Sequence, residues 1–231
     1  MKKIIYVLIL ITAVSCLNKN DSKLDVATHI RFNDVDKNGL TIDTKLLSNI
    51  KNDLKKTPNK LNREVWNYDK EGNEEHYVLN KGVVFKFVEE QKAHSIFNAY
   101  YEQVVKGNNY IFLTNMDFDE SYNTYYDIVI IDGSDPFKII ELIGTNGVNY
   151  DVYNPDIIKK LKAWDSQINF KFVVIDVSRI HAYIGKLPRD INKFSNEVYE
   201  FCPDVIDQGY GTMDEMISDY TENKYFWLWW D

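Results

Sequence analysis

Apolar residues along this chain recur in two rhythms, one near every third or fourth position and one at every second. Between 43 and 56 the residues Leu46, Leu47, Ile50 and Leu54 share one side of a helix, and Pro58 stands past its end. From 89 to 106 the stripe Ala93, Ile96, Phe97, Tyr100 and Val104 predicts a second helix, with Gly107 as its stop. Asp135-Pro136 opens a third helix that Gly144 closes, since proline suits the first helical position. Asn154-Pro155 opens a fourth, with Ile157, Ile158, Leu161 and Trp164 inward. Asp190 caps a fifth that carries Ile191, Phe194, Val198 and Phe201 and ends at Pro203. Thr212 and Glu215 form a capping box for a short helix over 213–222.

The two-residue rhythm predicts strands over 62–79 around a turn at Glu71-Gly72-Asn73, and over 83–88, 110–114, 125–131, 170–177 and 179–184. The acidic stretch Asp117-Phe118-Asp119-Glu120 reads as a solvated loop. The segment 225–230 is apolar on both faces, with Phe226, Leu228 and Trp230 one way and Tyr225, Trp227 and Trp229 the other. It is expected to lie inside the sheet or under cover. Strands and helices mixed without strict alternation indicate an α+β fold, a mixed sheet with helices packed on it. The order of elements from 125 onward is compatible with a ferredoxin-like split βαβ arrangement in the C-terminal half.

The first sixteen residues follow neither rhythm. Lys2 and Lys3 precede an apolar run, Ile4 to Val14, which is too short to span roughly 30 Å of hydrocarbon as a helix. Ala13-Val14-Ser15-Cys16 closes the run, the layout of a secretory signal peptide with a cysteine set directly after it. This resembles the lipobox of bacterial lipoproteins, in which the peptide is cut before the cysteine and that cysteine carries lipid. The resemblance implies a signal peptide over 1–15, lipidation of Cys16 with palmitate-type chains, and a place in the cell envelope, on the periplasmic side or the cell surface. Two acyl chains, at about 0.8 kcal/mol per buried methylene, hold a protein where one does not. Residues 16–40 are rich in Asn, Lys, Asp and Ser and read as a flexible tether. An N-terminal α+β part over 41–120 and a C-terminal domain over 121–231 are expected to follow.

Charge narrows the partners. The chain carries −8 formally, and −10 once Lys2 and Lys3 leave with the signal peptide. That disfavours nucleic acid, whose phosphates need Lys and Arg, and equally disfavours electrostatic docking on anionic lipid. The lipid anchor is the expected contact with the membrane. With 45% hydrophobic residues the chain can build a sizeable core. With Cys16 lipidated, Cys202 stands alone, so no intrachain disulfide is expected.

Searches for chemistry return little. The chain has no phosphate-binding Gly-x-x-x-x-Gly-Lys, no Gly-x-Ser-x-Gly and no His-Glu-x-x-His. His29, His76, His94 and His181 are scattered, and neither a metal nor a cofactor is expected. Asp34-Val-Asp36-Lys-Asn38-Gly39 fits the first half of a calcium loop, but Lys45 holds the position that needs a bidentate glutamate. Gly209-Tyr-Gly211 before a helix is a weak anion signal. The densest cluster is Phe201-Cys202-Pro203-Asp204-Val205-Ile206-Asp207-Gln208-Gly209. Cys202 reads either as a nucleophile needing His181 as its base or as a small buried hydrophobe at a helix end. Asp204 and Asp207 read either as paired carboxylates for acid–base or cation chemistry or as acceptors for free amides in the following turn.

The run Gly144-Thr-Asn-Gly-x-Asn149, the helix end Leu161-x-x-Trp164-Asp165, Phe201-Cys-Pro-Asp-x-x-Asp-Gln-Gly209 and Leu228-Trp-Trp-Asp231 together resemble the bacterial family of domain of unknown function 4253. The resemblance covers roughly 121–231 and brings no activity with it. It implies that Asn149, Trp164, Cys202, Asp204, Asp207, Gln208, Trp230 and Asp231 form one spatial unit.

Two functions compete, beside a third reading as a purely structural envelope component. The acidic charge, the abundance of aromatics and the tether point to a binding module with a protein partner in the envelope, such as an immunity-type protein. The alternative is an envelope enzyme using Asp204, Asp207 and Gln208. An open cleft on which these residues converge would favour catalysis. A buried cluster, with a flat aromatic or acidic face elsewhere, would favour binding.

Overall fold

The computed structural model describes residues 42–231. The expected signal peptide and tether, and the Asp34–Gly39 motif, lie outside the described residues. Helix α1 (Thr44–Leu54) leads to β1 (Asn59–Lys60), to a hairpin of β2 (Arg63–Tyr68) and β3 (Glu74–Leu79), and to β4 (Gly82–Glu89). Helix α2 (Glu90–Lys106) returns to β5 (Asn109–Phe118) and β6 (Thr124–Asp132). Helices α3 (Pro136–Ile143) and α4 (Asn154–Ile168) precede β7 (Phe170–Ile175) and β8 (Arg179–Ile184). After α5 (Ile191–Phe201), a π-helical turn (Val205–Tyr210), α6 (Met213–Ser218) and a second π-helical turn (Asp219–Asn223) bring the chain to β9 (Tyr225–Trp229).

The architecture is α+β, as expected. The large sheet runs β1-β4-β6-β5-β7-β8-β9, and β2-β3 form a separate two-stranded sheet. Alternation along β6 explains the layering: Ile128 and Ile130 enter one core, Val129 and Ile131 the other. The first core lies under α3, α4, α5 and the β2-β3 hairpin. The second lies under α1 and α2, whose predicted apolar stripes are all buried. Asp135 and Asp190 open their helices as read, and Asp43 and Glu89 cap theirs without having been singled out: each side chain accepts backbone N–H groups of the helix that follows, contacts each worth about 1 kcal/mol.

Two expectations are corrected and a third is narrowed. The split βαβ arrangement does not form. Strand β5 lies between β6 and β7, antiparallel to the first and parallel to the second, so the strands joined by α3 and α4 run in opposite directions. The reason lies in the connections: the tight turn at Asp119–Asn123 joins β5 to β6 as an antiparallel pair, and the crossover through α3 and α4 returns to the far side of β5. The position 120/121 falls within this turn, and the one sheet takes strands from both sides of it. Second, Asp117 and Phe118 belong to β5 rather than to a loop, because a bulge at Thr114/Asp117 carries the strand onward. Third, of the two places expected for β9, inside the sheet or under cover, the strand takes the second: it is an edge strand, and the segment after α5 covers its edge. Its Phe226, Leu228 and Trp230 are buried, while Tyr225, Trp227 and Trp229 are half-buried on the opposite face.

A belt of polar side chains crosses the sheet at the level of its bulges. Phe87 and Asn115 both hold positive φ, 51° and 50°, in bulges of β4 and β5 on either side of β6. Such geometry costs about 1–3 kcal/mol at a residue other than glycine. Asp127 on β6 holds both bulges: Oδ1 accepts Phe87 N–H at 2.8 Å and Oδ2 accepts Asn115 Nδ2–H at 2.9 Å. Asn115 N–H donates onward to Asp176 Oδ2 at 2.8 Å. Arg63 of β2 completes the belt, giving Nη2–H to Asp176 Oδ1 at 2.7 Å and Nη1–H to Thr114 Oγ1 at 2.6 Å. Burial alone would raise the Asp176 carboxyl, but Arg63 and the backbone amides hold it below the usual carboxylate range.

Removing one partner of a buried ion pair strands the other. Arg63→Ala is expected to destabilise the protein by about 3–5 kcal/mol in urea unfolding. The Arg63→Leu, Asp176→Leu double variant is expected to lose less than the sum of its single changes.

Candidate functional site

Of the residues implied to form a unit, Asn149, Cys202, Asp204, Gln208 and Asp231 meet at the outer edge of β9, whereas Trp164 and Asp207 take other partners. In an antiparallel strand, peptide groups alternate between facing the neighbour and facing away. Trp230 N–H donates inward to Ser178 O at 3.0 Å. The Trp229 carbonyl and the Asp231 N–H therefore face off the edge, where no further strand stands. Two side chains from the Cys-Pro-Asp segment meet them. Cys202 Sγ–H donates to Trp229 O at 3.0 Å, and Asp204 Oδ2 accepts Asp231 N–H at 3.0 Å. A thiol donor and a carboxylate acceptor thus stand in for the missing strand.

Local sequence sets this up. Helix α5 ends at Cys202, and Pro203 cannot supply the N–H that would extend it. The π-helical turn then folds back over β9. Gly209 lies against Trp227 so closely that a Cβ would come within 2.1 Å of the indole. Gly147 does the same for Trp230, at 2.6 Å. These two close approaches explain Gly147 and Gly209.

Asp204 is the hub. Besides Asp231, its carboxylate accepts Tyr150 Oη–H at 2.5 Å and Gln208 Nε2–H at 2.8 Å. Asn149 Nδ2–H donates to Asp231 O at 2.8 Å, so the loop before α4 holds the same C-terminal residue from the other side. Burial raises the Asp204 carboxyl, but the bonds from Tyr150, Asp231 and Gln208 outweigh it and hold the group below its ordinary range. The Tyr150 hydroxyl is pushed up to about 12 by its bond to Asp204, with burial second. Cys202 is fully buried, and burial pushes its thiol up to about 12.

Other candidates stand further off. Trp164 reaches the cluster only through rings, edge-on to Phe201, which is edge-on to Trp230. Its indole N–H donates to Glu197 Oε2 at 3.1 Å, beside a cleft of about 190 Å³ that also borders Arg189 and Lys193. Asp207 is exposed and accepts Tyr199 Oη–H at 3.2 Å, so it does not pair with Asp204. His181 hydrogen-bonds Tyr225 rather than Cys202, and burial, with Arg179 and His94, depresses it to about 3. Tyr210 donates to Asp219 at 2.5 Å, and Thr212 caps the six-residue α6. Lys45 lies in α1. No three His, Cys, Asp or Glu side chains among the described residues gather as metal ligands would.

The sequence reading missed Tyr150, Tyr199 and the two edge peptide groups. Tyr150 adjoins Asn149 in the same loop, which was its available signal. The peptide groups have no signal in sequence, since whether a strand lies at an edge depends on the sheet.

The site is thus an edge closure in an α+β domain. Residues 127–231, which contain all of it, match the model of the family described as a domain of unknown function, DUF4253. This is the family that the motifs resemble. No curated protein and no solved structure matches the chain significantly.

Asp204→Ala leaves three donors without their acceptor and is expected to cost about 2–3 kcal/mol of stability. Because the folded-state carboxyl is depressed, its contribution is present above the unfolded value of about 3.9 and is lost as pH falls through the lower folded value. The gap in thermal midpoint between wild type and Asp204→Ala is therefore expected to close on acidification. In a Cys16→Ser background, Cys202 is expected to resist a thiol reagent at neutral pH until denaturant is added. Rapid modification of the native protein would restore the nucleophile reading.

Proposed function

We propose that this chain is a lipid-anchored binding module of a bacterial cell envelope, held to the membrane through Cys16 and presenting its folded domain to a protein partner. The observation that carries the binding part is the occupancy of the Asp204 carboxylate. Both of its oxygens engage the chain's own groups, and Cys202 is directed at a main-chain carbonyl. Asp204 and Cys202 are buried into the fold, Asp207 is exposed and bonded to Tyr199 rather than paired with Asp204, and large aromatic side chains are exposed elsewhere: Trp66 at 48% and Tyr122 at 76%. Exposed aromatics are the usual anchors of protein interfaces. The net charge of −8 supports a basic partner.

The anchor rests on Lys2, Lys3, the apolar run and Ala13-Val14-Ser15-Cys16. No helix among the described residues is long and apolar enough to cross a membrane. An immunity-type role, in which the module captures and neutralises a toxic partner, is one form of the same reading.

Two measurements test the proposal. Cells expressing the full chain are labelled with an alkyne fatty acid, and label and membrane fractionation are expected to vanish together in Cys16→Ser. A Cys16→Ser chain that still labels overturns the anchor. Cross-linking in intact cells is expected to trap a protein partner in near-stoichiometric yield. No trapped partner, together with turnover of an envelope substrate that Asp207→Asn abolishes, would transfer the case to an enzyme.

A further inference from the structure

The β2-β3 hairpin is a two-stranded sheet with one face packed and the other bare. Val65 and Leu79 enter the first core, and the Tyr77 hydroxyl donates to the Leu142 carbonyl at the end of α3. The opposite face carries Glu64, Trp66 and Tyr68 on β2, set across from Val78, His76 and Glu74 on β3. Trp66 and Val78 are 48% and 47% exposed. The His76 ring stacks on Trp66, with centroids 4.2 Å apart and planes 26° from parallel. One face of the indole is thereby taken by the imidazole.

The charge of this hairpin is one-sided. Glu64, Asp69, Glu71, Glu74 and Glu75 are carboxylates, whereas Arg63 is engaged by Asp176 and Lys70 by Glu71. Residues two apart on a strand share a face about 6.5 Å apart. Glu64 therefore stands on the same face as Trp66, as does Glu74 beside Tyr68, whose hydroxyl donates to it at 3.3 Å. An indole attracts a cation over its face within about 6 Å. With carboxylates beside it, the arrangement suits a guanidinium, which is planar and can stack and donate hydrogen bonds at once.

We infer that the outer face of this hairpin is the docking surface of the module, and that it receives an arginine-bearing, basic segment of the partner protein, with a guanidinium laid on Trp66 and paired to Glu64. The inference rests on the binding reading above and adds the surface and its chemistry. The hairpin precedes residues 127–231, so the family-matched segment contributes the scaffold and the preceding chain contributes the recognition surface.

The test is a titration of the ¹⁵N-labelled full chain, in its Cys16→Ser form, with hexa-arginine. The Trp66 indole signal, assigned by its loss in Trp66→Phe, is expected to move, and the other four tryptophan signals are expected to stay. Affinity should fall about two- to fivefold in Trp66→Ala, the range of an exposed cation–π contact. It should also fall in Glu64→Gln and with added salt, and should hold in Tyr122→Ala. Should Trp66→Ala fail to fold, Glu64→Gln decides. Equal affinity in Glu64→Gln and wild type, or shifts spread over all five indoles, overturns the surface. So does a Trp66 signal moved by a neutral oligosaccharide but not by hexa-arginine. If cross-linked cells yield the same partner with Trp66→Ala as with wild type, the surface fails while the binding reading stands. If wild type itself traps nothing, the reading fails as well.

Discussion

A single buried carboxylate, Asp176, holds together elements that are far apart in sequence. Its side chain takes Arg63 from the β2-β3 hairpin and the Asn115 amide from β5, while its own carbonyl accepts Thr145 Oγ1–H at 2.7 Å. Thr145 in turn gives its carbonyl to Asn154 Nδ2–H at 2.9 Å, at the start of α4. The loop between Thr145 and Asn154 supplies Asn149 and Tyr150 to the Asp204 hub. The position of the hairpin, the bulges of the sheet and the closure of its far edge are therefore coupled through one ion. A charge so buried is tolerable only because each of its oxygens is matched by donors.

Edge closure accounts for chemistry that looks functional in sequence. A sheet that ends on β9 exposes main-chain donors and acceptors to any passing strand. Covering the edge with a turn is a common remedy. Here the turn also supplies a matched donor and acceptor: the carboxylate is held down in pKa by the groups that donate to it, while burial raises the thiol. A cysteine, two aspartates and a glutamine within seven residues describe an active site and an edge cap equally well. They differ in where the groups point, and Asp204 and Cys202 point at the chain's own backbone.

The sheet does not divide where the family match begins. Strand β5 separates β6 from β7 and touches both, yet it precedes residue 127. In this chain the matched segment is completed by strands that lie outside it. The β2-β3 hairpin, also outside it, packs on α3 but adds no strand to the main sheet. An element attached in this way can change its outer face without disturbing the core beneath.

What the sequence determined by itself was local. The helices over Thr44–Leu54 and Glu90–Lys106 were legible because an apolar stripe and a stop residue are properties of neighbouring residues. The burial of Cys202 was legible for the same reason, as the continuation of an apolar helix face. The grouping of Asn149, Cys202, Asp204, Gln208 and Asp231 came from motif resemblance, whereas Trp164 and Asp207 proved to take other partners. Tertiary structure alone decided the strand order, the edge position of β9 and the roles of Arg63, Asp127 and Asp176. These depend on which strands lie side by side. That choice is made by burying both faces of the sheet at once, and no window of adjacent residues encodes it.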